Sequence, residues 1–143
     1  MEAEKKNPEI IIDASKAVLG RLASIAAKHA LLGNDVIIVN AEKAVILGNQ
    51  VDIFSSYTSK RQRGGSSQKG PNIPSSPSML LKRTIRGMLS HRKGRGHDAL
   101  KRVKCYEGTP EPYAGKAAPF TQSSSLKSVT LEQVSQRIGR NKL

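Results

Sequence analysis

Two continuous apolar runs near the start of the chain predict buried strands with a helix between them. Residues 9–13 and 35–40 contain unbroken series of β-branched residues, a pattern typical of parallel strands that are covered on both faces. Residues 17–32 carry apolar side chains every three to four positions, and Gly33 supplies a helix stop. Because strand, helix and strand follow one another within about thirty residues, the pattern predicts a βαβ unit with a parallel sheet.

The middle of the chain predicts a short strand at 44–47, a helix at 51–59 and then a long loop. Eleven of the fifteen residues from 64 to 78 are Gly, Pro or Ser, which is unusual inside a compact domain. A helix is expected to restart at Ser76 and Pro77, since a serine hydroxyl can cap free N–H groups and proline suits the first helical position.

The restarted helix is expected to be amphipathic. Its buried face is predicted to comprise Leu81, Ile85, Met88 and Leu89, and Met79 is also interpreted as core filler. Residues 92–96 are predicted to break the helix as a basic turn.

The last third of the chain predicts fewer regular elements. A short helix at 98–104 is expected to run into a strand at 103–106, and residues 108–128 are interpreted as an extended surface arm. Residues 130–133 match a capping box that opens a final helix. With no internal repeat and 143 residues, we expect one domain over 1–143, with a core at 9–60, a basic part at 60–104 and an arm and helix at 108–143.

The charge is concentrated in one stretch, residues 60–104, which we call the cationic segment. The chain has a formal net charge of +13, and this segment has a net charge of +12 because Asp98 is its only acid. Its basic residues, all predicted to bind a polyanion, are Lys60, Arg61, Arg63, Lys69, Lys82, Arg83, Arg86, Arg92, Lys93, Arg95, Lys101, Arg102 and Lys104. Such a density favours a phosphate-binding surface over a solvated basic face.

The composition disfavours several other classes of protein. The sequence contains no run of 18 apolar residues, so no transmembrane helix is predicted. The absence of tryptophan disfavours an interfacial membrane helix. A single cysteine, Cys105, forms neither an internal disulfide nor a paired-cysteine metal site, and we expect a buried, inert thiol. No aromatic residue lies in the cationic segment, so we expect recognition of folded RNA by shape and phosphate contacts rather than by base stacking.

Enzymatic chemistry finds little support in the sequence. A metal-dependent nuclease needs clustered carboxylates, whereas the acids here are dispersed. Asp13 and Glu42 are expected near strand ends, where we interpret them as helix caps or as partners of nearby lysines. No glycine-rich nucleotide fingerprint or P-loop is present. A nucleic-acid-modifying enzyme and a general nucleic-acid-binding regulator both remain alternatives at this stage.

The order and spacing of short motifs resemble one known family, the large-subunit ribosomal protein thirteen family in its archaeal and eukaryotic-like form. The resemblance covers roughly residues 9–113. The motifs are Asp13-Ala14-Ser15, Leu19-Gly20-Arg21-Leu22-Ala23-Ser24, Leu31-Leu32-Gly33, Val39-Asn40-Ala41-Glu42-Lys43, Gly48-Asn49, Lys69-Gly70-Pro71, Ser76-Pro77-Ser78, Arg86-Gly87-Met88-Leu89 and Tyr106-Glu107-Gly108-Thr109-Pro110. Ser90 and His91 depart from the family, which usually has proline after Gly-Met-Leu, and the segment after Tyr113 matches weakly.

The resemblance implies a three-layer α/β/α domain with a mainly parallel four-stranded sheet, a long basic loop and a C-terminal arm and helix. It also implies a non-enzymatic, cytoplasmic constituent of the large ribosomal subunit that supports subunit assembly and translation. The implied partners are large-subunit rRNA and neighbouring ribosomal proteins, with no cofactor, catalytic residue, metal, membrane or small-molecule substrate.

Overall fold

The computed structural model describes residues 7–63, 70–120 and 126–140. The strands in these ranges are β1 (Glu9–Asp13), β2 (Asp35–Val39), β3 (Val45–Leu47), β4 (Val103–Cys105), β5 (Ala118–Pro119) and β6 (Ser128–Thr130). The helices are α1 (Leu19–Leu31), α2 (Gln50–Gln62), α3 (Pro77–Gly87), α4 (Gly94–Lys101) and α5 (Leu131–Arg140).

The main sheet has four strands in the order β4-β2-β1-β5, and its strand pairs are parallel. β1 and β2 pair in register from Glu9 with Asp35 to Asp13 with Val39, and α1 forms the crossover between them. The predicted βαβ unit is therefore confirmed, as are the α/β fold class and the mainly parallel four-stranded sheet.

The central strand β2 is buried on both faces, as its unbroken apolar run predicted. Val36 and Ile38 point to one side and join the main core, while Ile37 and Val39 are buried on the opposite side. α1 covers the core side with small residues, which let its backbone approach the sheet. It ends before Gly33, whose φ of 95° takes the left-handed conformation that glycine adopts readily.

One strand lies outside the main sheet, and another lies in the segment interpreted as a surface arm. β3 does not extend the main sheet but pairs antiparallel with β6, because Asn40 adopts a left-handed conformation (φ 56°) and a 3-10 turn at Ala41–Lys43 redirects the chain. The arm interpreted at 108–128 supplies the edge strand β5, which pairs with Ile12 and Asp13 of β1. Pro119 is tolerated there because an edge strand has one side free of ladder bonds.

The predicted basic turn at 92–96 is wrong in its second half. α4 already begins at Gly94, and the predicted short helix therefore starts four residues early. The reason is the contact between Gly96, which is buried, and the backbone of Ser90. Glycine at this position lets the first turn of α4 lie directly against the end of the preceding turn.

Helix α3 begins at Pro77 as predicted, but Ser76 does not cap it. The Ser76 hydroxyl donates instead to the Glu107 carboxylate, and no side-chain cap bond is made at this helix start. Glu107 lies just beyond β4, so this bond ties the start of α3 to the sheet.

The capping box at the start of α5 is confirmed in both directions. The Gln133 N–H donates to Thr130 Oγ1 at 3.3 Å, and the Thr130 N–H donates to Gln133 Oε1 at 3.2 Å. Downstream, Leu131, Val134 and Ile138 are buried on one side of the helix.

Replacing Thr130 by alanine is expected to lower the free energy of unfolding by about 1 kcal/mol, because one N–H of the first turn loses its acceptor. Urea denaturation monitored by circular dichroism measures this change. Ser128→Ala is the matched control, since Ser128 is exposed and takes no part in the cap. Equal stabilities of the two variants would contradict the role assigned to Thr130.

Candidate nucleic-acid interface

Twelve of the thirteen predicted cations lie in the described residues, and most of them are exposed; Lys69 lies outside those residues. The exposed ones are Lys60, Arg63, Arg86, Arg92, Lys93, Arg95, Lys101 and Lys104. The half-buried ones are Arg61, Lys82, Arg83 and Arg102. They divide among elements. Lys60 and Arg61 lie in the last turn of α2, which packs on α5, and Arg63 follows that helix directly. The others lie on or between α3, α4 and β4.

Helix α3 brings three cations to one place. Arg86 lies four residues after Lys82 and three after Arg83, so the three cations share a helical face distinct from that of the buried Leu81 and Ile85. All three line a cavity of about 280 Å³ beside the helix. Arg83 Nη1 also donates to the Asn72 carbonyl at 3.4 Å, which holds the preceding chain against α3.

The connection between α3 and α4 presents a second group. Arg92, Lys93 and Arg95 are all exposed within four residues, and no acid occurs in the first turn of α4. These cations repel one another, and they are also repelled by the helix N-terminus because it carries a partial positive charge. An external anion would relieve that repulsion.

The cations at the C-terminal end of α2 are arranged differently. Lys60 Nζ lies 5.5 Å from the centre of the Tyr57 ring, within cation–π distance. Arg61 is half-buried beside Thr58 and Ile138, and its Nη1 has no hydrogen-bond partner within the described ranges. Arg63 follows the helix and is exposed.

Arg102 has an internal contact that the sequence did not predict. Its Nη1 donates to the Ala30 carbonyl at 3.1 Å, in the last turn of α1. A cation at a helix C-terminus satisfies a free carbonyl and interacts favourably with the dipole. Arg102 therefore links α4 to α1, whereas its neighbours Lys101 and Lys104 are exposed.

The charge of the cationic segment is not neutralised from within. The hydrogen bonds of Arg83 and Arg102 end on backbone carbonyls, and none of the twelve cations forms an ion pair with a carboxylate in residues 7–63, 70–120 and 126–140. A surface of this kind attracts and holds polyanions, with a strength that falls as salt rises.

The acids at the carboxyl end of the main sheet have structural roles. Asp13 Oδ1 accepts from the Ser15 N–H and hydroxyl and from Asn40 Nδ2, at 3.0, 2.7 and 3.1 Å. Burial acts to raise the pKa of Asp13, but these hydrogen bonds and the charge of Lys43 outweigh it, and the pKa lies below its ordinary value. Glu42 Oε2 accepts from the Gly108 N–H at 3.0 Å. Both acids therefore fasten loops rather than cap helices, and of the expected lysine interactions the structure shows the charge of Lys43 acting on Asp13.

No metal site accompanies these acids among the described residues. There, no group of three His, Cys, Asp or Glu side chains comes close enough to hold an ion. The helices in the same ranges also include none with the length and apolar content needed to cross a bilayer.

Cys105, at the end of β4, packs against the main core, and burial raises the pKa of its thiol to about 12, although Lys82 acts in the opposite direction. The Cys105 side chain is half-buried rather than fully buried, and its raised pKa favours the inert thiol that the sequence predicts. Above the ordinary value of 9.0 the unfolded thiol ionises while the folded thiol keeps its proton. The unfolded state then binds fewer protons, so stability is lost as pH rises from about 9 towards 12.

Between pH 8 and pH 10, this thiol is expected to reduce the free energy of unfolding by about 1.4 kcal/mol. Urea denaturation at both pH values measures the change. Other groups titrate in this interval, so Cys105→Ala is the reference, and its loss over the same interval should be smaller by that amount. Identical pH dependence of the two proteins would contradict the buried, protonated thiol.

Sequence reasoning misplaced two methionines. Met79 and Met88 were expected in the core, but 51% and 45% of their surfaces are exposed. Met79 lines the α3 cavity together with Lys82, Arg83 and Arg86. The signal was available, since Met79 precedes these cations by three, four and seven residues and so shares their helical face.

An α/β domain in which the described cations of the cationic segment lack carboxylate partners belongs to the class of basic proteins suited to hold a polyanion. Comparison with known proteins makes the assignment specific, because the sequence model of "Ribosomal protein L13" matches residues 7–112. The chain belongs to the ribosomal protein L13 family.

Similar proteins come from several archaea and are named "Large ribosomal subunit protein uL13". That of Methanococcoides burtonii is 44% identical over 135 residues, which cover 90% of this chain and 96% of the relative. That of Methanosarcina barkeri is 45% identical over 136 residues, covering 90% and 96%. That of Halobacterium salinarum is 38% identical over 144 residues, covering 99% and 98%, so similarity continues past Tyr113. The chain is a structural protein of the large ribosomal subunit and not an enzyme.

Proposed function

We propose that this protein binds folded large-subunit rRNA through phosphate and shape contacts, and thereby supports assembly of the large subunit and translation. The observation that carries the proposal is the density of cations in the cationic segment without carboxylate partners in the described part of the chain. Membership of a ribosomal protein family identifies the polyanion as rRNA, because the phosphate backbone of rRNA is the abundant polyanion in a ribosome.

The α3 cations and the α3–α4 turn are the centre of the proposed interface. One arginine guanidinium can donate two parallel hydrogen bonds to a phosphate group, whereas lysine acts as a mobile point charge. The proposed contacts are Lys82, Arg83, Arg86, Arg92, Lys93 and Arg95, joined by Lys60, Arg61, Arg63, Lys69, Lys101 and Lys104. Arg102 is proposed to contribute chiefly by holding α4 on α1, because its guanidinium already donates to Ala30.

The proposed mode of recognition follows from side-chain chemistry. The aromatic residues lie outside the cationic segment, so it offers no aromatic platform for successive bases. Folded RNA presents phosphates and 2′-hydroxyls along its surface, and cations on a rigid helix can match their spacing. We infer that residues 1–143 act as one domain, with neighbouring large-subunit proteins as further partners and the cytoplasmic ribosome as its location.

Sedimentation of ribosomes tests the proposal. A cell extract from the source organism is separated on sucrose gradients, and the fractions are probed with an antibody against the full chain. The protein should sediment with the large subunit, and should still do so when the gradient contains a moderate concentration of salt. Detection in the free protein fractions alone would overturn the proposal. Comparable affinity of purified protein for unrelated RNA duplexes at physiological salt would also overturn it, in favour of a general nucleic-acid-binding protein.

A further inference from the structure

We propose that the cavity beside α3 binds a single unpaired nucleotide of the folded rRNA. This inference rests on the proposed function and adds to it a base contact where only phosphate and shape contacts are otherwise expected. The α3 cavity is lined by Asn72, Pro74, Met79, Lys82, Arg83, Arg86 and Leu100.

The lining of the α3 cavity joins two kinds of chemistry. Met79, Pro74 and Leu100 supply apolar surface, and Met79 is 51% exposed. Three cations complete the wall, and no carboxylate is among the lining residues. The pairing of apolar surface with positive charge matches a ligand that has a flat apolar part and a phosphate beside it.

Size and shape restrict the occupant further. The volume of about 280 Å³ lies just below the usual range of roughly 300–1,000 Å³ for small-ligand pockets, so the cavity suits a unit as small as one nucleotide. A base-paired helix is too wide to enter, and a phosphate alone would leave the apolar wall unused.

The side chains provide contacts for both parts of a nucleotide. The Met79 sulfur is polarisable and makes favourable contacts with aromatic rings, and an arginine plane can stack on an unpaired base. Arg83 is already oriented by its bond to the Asn72 carbonyl, which uses one of the five N–H donors of its guanidinium. The remaining donors, with Lys82 and Arg86, can serve the phosphates on either side of the base.

The experiment compares two methionines of the same region. Met79→Ala is expected to weaken binding of the full chain to large-subunit rRNA by about 3- to 10-fold, with an unchanged salt slope because no charge is removed. Met88→Ala is the matched control: Met88 is exposed to a similar degree just after α3 but does not line the cavity. It should bind as the unmodified protein does.

Chemical probing of bases in the same complexes identifies the occupant. One unpaired rRNA base should be protected by the unmodified protein and by Met88→Ala but become reactive with Met79→Ala, while backbone protection persists. Equal affinity and equal base reactivity for Met79→Ala would overturn the inference and favour an acidic, apolar protein segment as the occupant. Failure of the unmodified protein to bind rRNA would instead overturn the proposed function itself.

Discussion

Gly96→Ala should destabilise the protein by about 3 kcal/mol or more, the largest effect expected of any substitution that adds only a methyl group. A Cβ at this position would overlap the Ser90 carbonyl and lie 2.8 Å from the Ser90 nitrogen. Backbone atoms cannot move away as the end of a flexible side chain can, so α4 would have to separate from the preceding turn. The midpoint of urea denaturation measures the loss.

Gly94→Ala is the matched control in the same helix. A Cβ there meets nothing within 4 Å, and Gly94 is exposed. Alanine favours the helical conformation more than glycine does, so this variant should be neutral or up to about 1 kcal/mol more stable. A Gly96→Ala protein as stable as Gly94→Ala would show that α4 does not pack on Ser90 as described.

Reversal of two charges on α3 is expected to have the largest effect on RNA binding. Arg83→Glu with Arg86→Glu should weaken affinity for large-subunit rRNA by about 100-fold at physiological salt, since each lost charged contact contributes at least about 1.5 kcal/mol. The slope of log affinity against log salt should become shallower by about 1.4 to 1.8, because two phosphate contacts disappear. Filter binding over a salt series measures both quantities.

The double variant Lys116→Glu with Lys127→Glu is the control that distinguishes the effect of the α3 site from the effect of net charge. Both lysines are exposed, both lie outside the cationic segment, and the net charge changes by the same amount. This control should lose far less affinity than the α3 variant. Equal losses for the two pairs would assign binding to net charge alone, and no loss in the α3 pair would remove α3 from the interface.

The sequence pattern predicted two kinds of element: the central strand of the main sheet, and helix ends whose contacts lie between residues close in the chain. The apolar run in β2 predicted a buried strand because both faces of a central parallel strand are apolar. The similar run in β1 was predicted to be covered on both faces, but only Ile12 of that strand is buried. The α5 capping box was predictable because all its partners lie within four residues. The resemblance to a known family, not periodicity, supplied the four-stranded count of the main sheet.

Features set by long-range contacts escaped the sequence. β5 joins β1 across more than one hundred positions, and nothing in Ala118 and Pro119 themselves signals a strand. Gly96 was predicted to belong to a basic turn, whereas it lies in α4 and packs against the backbone of Ser90. Ser76 was expected to cap α3, but its hydroxyl instead donates a hydrogen bond to Glu107, which the main sheet brings close to the start of the helix.

The candidate interface was predictable in composition but not in arrangement. Sequence identified the cations, yet could not separate Arg102, which holds α1, from its exposed neighbours. Sequence reasoning also assigned Met79 to the core on its hydrophobicity, although its spacing from the α3 cations places it on their face.

The most direct measurement is an electron cryomicroscopy structure of the large subunit with this protein in place. The side chains of Arg83, Arg86, Arg92, Lys93 and Arg95 should lie within hydrogen-bond distance of rRNA phosphate oxygens. If they instead face open solvent, or pair with carboxylates of neighbouring proteins, the account of this protein as a cationic clamp on folded rRNA is contradicted.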